Sequence, residues 1–120
     1  MKESVLRDKS YAFAIRIVNL NRYLCDEKKE YVLSKQLLRS GTAVGALVRE
    51  AEFGQSRADF AGKMSIALKE ANETNYWLSL LKDTGYLNEK MFISISADCL
   101  ELIKLLVETV KTAKIVNSEK

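Results

Sequence analysis

The sequence predicts an all-α protein folded as an antiparallel up-down-up-down four-helix bundle. Its apolar residues recur at alternating spacings of four and three residues, the pattern of helices that pack side by side. The 120 residues include no proline and only five glycines, so little interrupts long helices. Hydrophobic residues make up 48% and charged residues 29%, which excludes intrinsic disorder. We therefore expect a single domain over residues 1–120.

Each predicted helix has its own apolar seam. The four helices cover approximately residues 4–25, 28–52, 56–84 and 88–116. The seam of the first helix consists of Leu6, Phe13, Ile17, Leu20 and Leu24. The seam of the second consists of Leu33, Leu37, Ser40, Val44, Leu47 and Ala51. The seam of the third consists of Phe60, Met64, Ala67, Ala71, Thr74, Leu78 and Leu81. The seam of the fourth consists of Phe92, Ile95, Cys99, Leu102, Leu106, Val110 and Ala113.

Short polar segments separate the helices. Residues 26–29 lie between the first two, and Ser56 with Asp59 three residues later is typical of a helix N-terminus. Gly85 is placed to end the third helix, and Asn88 to cap the fourth. Connections this short make consecutive helices antiparallel neighbours.

Two glycines lie inside the second predicted helix. Glycine within a helix costs about 1 kcal/mol relative to alanine. Gly41 and Gly45, spaced four residues apart, therefore predict that another helix approaches the backbone closely at this point.

The first and third helices also carry apolar residues away from their seams. On the first helix these outer residues are Tyr11, Ile15 and Val18. On the third they are Ile66, Tyr76, Trp77 and Leu80, including the only tryptophan. A bundle buries one stripe per helix, so a second stripe predicts a homo-oligomer in which these residues form the interface. The alternative is a wide core in which they pack on neighbouring helices.

The sequence indicates a protein that is not an enzyme and has no cofactor or metal. It contains no histidine, the commonest general base and metal ligand, so the di-iron site of many four-helix bundles cannot be assembled. Cys99 lies on a seam, and Cys25 lies near a helix C-terminus, which raises rather than lowers a thiol pKa. No tyrosine or serine has a base placed to activate it.

Cysteine usage and hydropathy indicate a cytoplasmic protein without a membrane span. Two cysteines far apart in sequence fit a reduced compartment. The charge-free stretch at residues 40–48 is far shorter than the roughly 20 residues that a membrane span needs. The N-terminus leads into no signal-peptide apolar region.

Paired carboxylates occur on the third helix. Glu70 and Glu73 have the spacing that brings two carboxylates together on one helix, which is a possible start for a metal site. They flank the seam rather than occupy it, so we expect a solvated surface. The cations expected to neutralise them are Arg57, Lys63 and Lys69.

A basic stripe follows the outer face of the second helix. It consists of Lys35, Arg39, Thr42, Ala46 and Arg49, at spacings of four and three. The three cations match what a phosphate backbone requires and are the predicted nucleic-acid-binding residues. The residues alone favour an ordinary solvated face with Glu30 and Glu50 as ion-pair partners.

Several motifs of the sequence are typical of one protein family. They are Tyr31 to Thr42, Glu50-Ala51, Gln55-Ser56, Asp59-Phe60, Ser65 to Ala67, Lys69 to Ala71, Thr74, Trp77-Leu78 and Leu81 to Tyr86. These motifs span nearly the whole chain, which resembles the 23S rRNA intervening-sequence proteins. Leu47 and Arg49 depart from the family's second helix, where an asparagine and a glutamate are common.

The resemblance implies a left-handed bundle that assembles into a homopentameric ring, with no catalytic residues to carry over. A related protein, the accessory variability determinant of diversity-generating retroelements, is a basic pentamer that partners a reverse transcriptase and nucleic acid. We therefore expect an oligomer that binds structured RNA or DNA through the basic stripe. The alternative is a scaffold or adaptor whose partner is a protein, for example a nucleic-acid enzyme.

Overall fold

The protein consists of four long α-helices. The computed structural model describes the backbone of residues 2–118 and the side chains of residues 5–115, so residues 1, 119 and 120 of the expected domain lie outside the described part. The helices are α1 (Lys2–Asp26), α2 (Leu33–Glu52), α3 (Arg57–Asp83) and α4 (Glu89–Ser118). No strand occurs between residues 2 and 118. The all-α class is therefore confirmed.

Contacts between α2 and α3 show that neighbouring helices run antiparallel. Near the start of α2, the Thr74 hydroxyl donates to the Ser40 hydroxyl at 2.9 Å. Near its end, the Lys63 amine lies 3.5 Å from the Glu50 carboxylate. The start of α2 thus lies beside the later part of α3, and the end of α2 lies beside the early part of α3. The resulting bundle is a rod 51 Å long and 21 Å across.

The predicted seams form the core of the bundle. Buried side chains of all four helices pack in one cluster along its axis. Val48, rather than the predicted Leu47, is fully buried on α2. The spacings of four and three that connect Val44, Val48 and Ala51 keep the buried face in line with the partner helices. The seam residues that are only half-buried are Leu33, Leu47, Phe60, Phe92 and Ala113.

Local capping chemistry ends α3 and starts α3 and α4 as predicted. The Ser56 hydroxyl accepts the Asp59 backbone N–H at 3.0 Å, and the Asn88 side chain accepts the Met91 N–H at 2.8 Å. Gly85 follows α3 with φ of 88°, a left-handed conformation that glycine adopts without steric cost.

α2 begins at Leu33, later than the predicted start at residue 28, because a buried carboxylate caps it. Glu30, only 9% exposed, accepts the backbone N–H groups of Val32, Leu33 and Ser34 at 2.7–3.3 Å. Lys29 has φ of 55°, which turns the chain away from helical geometry just before this cap. Three otherwise unpaired donors of the first turn are thereby satisfied.

α1 and α2 approach closely at the two glycines, as expected. A Cβ added at Gly41 would lie 2.7 Å from Cγ1 of Ile17. A Cβ added at Gly45 would lie 3.3 Å from the carbonyl oxygen of Ser10. The small residues of α2 thus let the backbones of the two helices come together.

We expect two glycine-to-alanine substitutions to shift stability in opposite directions. Gly62→Ala, on an exposed part of α3 where an added Cβ meets nothing within 4 Å, should stabilise by about 0.5–1 kcal/mol through helix propensity. Gly41→Ala should destabilise, because overpacking against Ile17 costs about 1–3 kcal/mol. Urea unfolding measures both changes. Equal stabilisation by the two variants would contradict the close approach of α1 and α2.

Candidate nucleic-acid interface

The basic stripe lies on the outer face of α2, and its three cations differ in their surroundings. Lys35, Arg39 and Arg49 are all exposed. The spacing of four and three residues keeps them opposite the buried seam of the same helix. Whether each cation is free to bind a phosphate depends on the helices on either side, α1 and α3.

Arg39 is held by α3. Its Nη1 donates to both carboxylate oxygens of Glu70, at 3.2 and 3.3 Å, and its Nη2 donates to Glu73. The indole N–H of Trp77 also donates to Glu73, at 3.0 Å. The hydrogen bonds that Arg39 donates to Glu70 and to Glu73, in that order of size, raise the pKa of Arg39. The hydrogen bonds that Glu73 accepts from Trp77 and then from Arg39 lower the pKa of Glu73. A phosphate that binds Arg39 must compete with two carboxylates.

Two expectations about ion pairs are wrong. Glu30 caps α2, and Glu50 pairs with Lys63, so neither partners the basic stripe. The carboxylates of α3 pair across the helix boundary with Arg39, not with cations of their own helix. Sequence spacing identifies neighbours on one helix, whereas the long Arg39 side chain reaches the adjacent helix.

Lys35 and Arg49 are not held by carboxylates. Among the described side chains, neither lies within ion-pair distance of an aspartate or glutamate. Arg49 instead places its guanidinium carbon 5.7 Å from the centre of the Tyr11 ring on α1, in a cation–π contact. These two cations keep free hydrogen-bond donors toward solvent.

The predicted interface residues divide into exposed and half-buried groups. The exposed ones are Tyr11, Ile15, Ile66 and Tyr76. The half-buried ones are Val18, Trp77 and Leu80. Trp77 packs against the core and stacks edge-on with Tyr76 at a centroid distance of 5.0 Å. The wide-core alternative therefore describes Trp77, while an outer apolar surface remains on both α1 and α3.

The sequence reasoning missed a further apolar surface on α4. Ile93 and Leu100 are 60% and 52% exposed, seven residues apart and thus on one face of the helix. The sequence signal that could have found them is the one used for the first and third helices, namely apolar residues outside the predicted seam.

Neither cysteine has the surroundings of a reactive thiolate. Burial raises the pKa of the Cys99 thiol to about 12, and its Sγ lies 3.4 Å from the carbonyl oxygen of Ala71. Cys25 is half-buried, 3.6 Å from the hydroxyl of Ser34. Among residues 5–115, no three histidine, cysteine or carboxylate side chains group as metal ligands. None of the helices within residues 2–118 is long and apolar enough to span a bilayer.

The protein is an all-α four-helix bundle that exposes cations on the outer face of α2 and apolar residues on α1, α3 and α4. The family described as 23S rRNA-intervening sequence protein matches residues 2–108. The chain belongs to this family.

The chain is also similar to a crystal structure of a protein of unknown function from the S23 ribosomal protein family of Bacteroides thetaiotaomicron VPI-5482. The two share 57% sequence identity with a TM-score of 0.91, over 92% of this chain and 99% of that one. A comparison with curated proteins found no match.

We expect the fluorescence of Trp77, the only tryptophan, to report the titration of Glu73. Because the folded-state pKa of Glu73 is lowered, its network is intact above the ordinary carboxyl value of 4.5 and is lost as the pH falls further. The emission should change with a midpoint below pH 4.5, and Glu73→Gln should abolish the change. Glu101→Gln on α4 is the control and should retain it. A wild-type midpoint above 4.5 would contradict the assigned network.

Proposed function

We propose that the protein is a non-catalytic, cytoplasmic helical-bundle protein that assembles into a homopentameric ring and binds structured RNA. The observation that carries the RNA part is the pair of exposed cations on the outer face of α2, Lys35 and Arg49, which have no carboxylate partner among the side chains of residues 5–115. The family description, which refers to 23S rRNA, supports the same class of ligand.

The three cations of the basic stripe have different roles in this proposal. Lys35 and Arg49 contact phosphates, whereas Arg39 joins α2 to α3 through its two carboxylate partners. Lys35 and Arg49 are separated by fourteen positions, or about 21 Å along the helix. They therefore reach phosphates several nucleotides apart, which suits a folded RNA better than a short strand.

Assembly makes this modest site sufficient. Two phosphate contacts from one chain give weak binding. A ring repeats them in every subunit, and a ligand that spans several copies gains about 10²–10⁴ in affinity. The exposed apolar residues of α1 and α3 supply the surface for such assembly.

We expect Lys35→Glu with Arg49→Glu to weaken binding of a structured RNA by at least about tenfold, measured by fluorescence anisotropy at low salt. Each phosphate contact removed should also reduce the slope of log K against log salt concentration by about 0.7–0.9. The matched control is Lys90→Glu with Lys104→Glu, which reverses two exposed cations of α4.

Equal losses from the two double variants would indicate diffuse attraction and contradict the assignment to α2. Failure of the wild type to bind RNA at low salt would contradict the RNA-binding function itself.

A protein scaffold is the second candidate function. The additional apolar residues on α4, Ile93 and Leu100, favour it, because they leave exposed apolar surface on three of the four helices. Such a scaffold would bind a protein partner, for example a nucleic-acid enzyme. Binding through apolar contacts would respond little to salt, which distinguishes it from phosphate binding.

We expect charged substitutions on the outer apolar residues to dissociate the ring. Ile15→Glu with Tyr76→Glu buries two charges in the proposed interface, so light scattering should report monomers while circular dichroism retains the helical signal. Gln55→Glu with Ala58→Glu adds two negative charges at exposed positions around the start of α3, away from Ile15 and Tyr76, and should leave the ring intact. A wild-type monomer at micromolar concentration would contradict assembly.

A further inference from the structure

A groove runs between α1 and α2 and includes part of the basic stripe. It forms where the two backbones approach at Gly45, because Ala14 and Ala46 on the two helices are small. Its volume is 360 Å³, at the lower end of the range of about 300–1,000 Å³ for ligand pockets. The residues that line it are Arg7, Tyr11, Ala14, Thr42, Gly45, Ala46 and Arg49.

One wall of the groove is a flat cation beside a flat aromatic ring. The guanidinium carbon of Arg49 lies 5.7 Å from the centre of the Tyr11 ring, and Tyr11 is 58% exposed. Arginine planes and tyrosine rings are the surfaces on which unpaired nucleobases stack. Ala46 also lines the groove, and its single methyl group leaves room for a planar ring.

The second cation of the groove is Arg7. Among the described side chains it forms ion pairs with Glu52 and Asp8, whose carboxylate oxygens both lie 3.7 Å away, too far for a hydrogen bond. The guanidinium of Arg7 therefore keeps donors available for a phosphate oxygen, as does that of Arg49. The groove thus combines an apolar lining with the guanidinium groups of Arg7 and Arg49, which fits a ligand with a flat ring and a nearby negative charge.

We infer that this groove holds one unpaired nucleotide of the RNA, with its base against Tyr11 and Arg49 and its phosphate at Arg7. The inference rests on the proposed RNA binding. A peptide fits less well, because its backbone N–H groups need acceptors, and the described side chains that line the groove offer only the hydroxyls of Tyr11 and Thr42. A paired base stays stacked in its duplex and cannot enter.

The test compares two RNA hairpins that are identical except for a single bulged nucleotide, with 2-aminopurine at the bulge. The wild type should bind the bulged hairpin about tenfold more tightly, as stacking of one base predicts. Its binding should also change the 2-aminopurine fluorescence. Tyr11→Ala should remove both effects, and Tyr11→Phe should keep them.

The Ala46→Leu variant tests the groove without removing charge. Ala46 is exposed, so leucine fills the groove without entering the core. The affinity of Ala46→Leu for the bulged hairpin should fall to its affinity for the hairpin without the bulge. Its affinity for the hairpin without the bulge should equal that of the wild type. Ala58→Leu, at an exposed position in the first turn of α3, is the matched control and should behave as the wild type.

Each contrary outcome has a distinct meaning. Equal wild-type affinities for the two hairpins would overturn the inference and leave the proposed RNA binding standing. Binding of neither hairpin at low salt would overturn both. If Ala46→Leu dissociates the ring in light scattering, a second copy of the chain occupies the groove, which also overturns the inference.

Discussion

The close approach of α1 to α2 at Gly41 and Gly45 is the constraint on which much of the molecule depends. Because an added Cβ would meet α1 at both positions, the spacing of these two helices requires glycine. α1 packs mainly against α2. Of the adjacent helix pairs, α1 and α4 contact each other least. Polar groups close that boundary at the surface, as in the 2.7 Å ion pair between Arg16 and Asp98. The groove between α1 and α2 follows from the same small residues.

The boundary between α2 and α3 determines what the basic stripe presents to solvent. Surface ion pairs contribute little to stability, so the Arg39 network matters chiefly for which cations remain free. By joining Arg39 to Glu70 and Glu73, α3 lowers the positive charge at the centre of the stripe and leaves it at the two ends. Lys35 and Arg49 thus form two separate positive sites instead of parts of a continuous basic surface. This arrangement is better suited to a ligand whose charges are themselves spaced apart.

The exposed surfaces have distinct chemistry, which determines whether the proposed assembly and the proposed RNA binding can use separate parts of the bundle. Ile15 and Tyr76 present apolar area on α1 and α3, whereas Ile93 and Leu100 present it on α4. A closed ring needs two different faces on each subunit, and apolar stripes on several helices provide more than one. Tyr11 belongs to both proposals, since it is an outer apolar residue and the partner of Arg49. Its contact with Arg49 favours the proposed groove, which leaves the proposed subunit contact to its neighbours.

The sequence by itself determined the four helices, most of the buried seam and three of the helix termini, including the caps at Ser56 and Asn88. These features depend on residues within about four positions of one another, so the local amino-acid sequence is enough to specify them. Only the tertiary structure decided that Glu30 is buried as a cap and that Arg39 belongs to α3. It also decided that Val48 replaces Leu47 in the core. Such choices depend on how far apart two helices lie and which way each is rotated, and the packing of the whole bundle sets both.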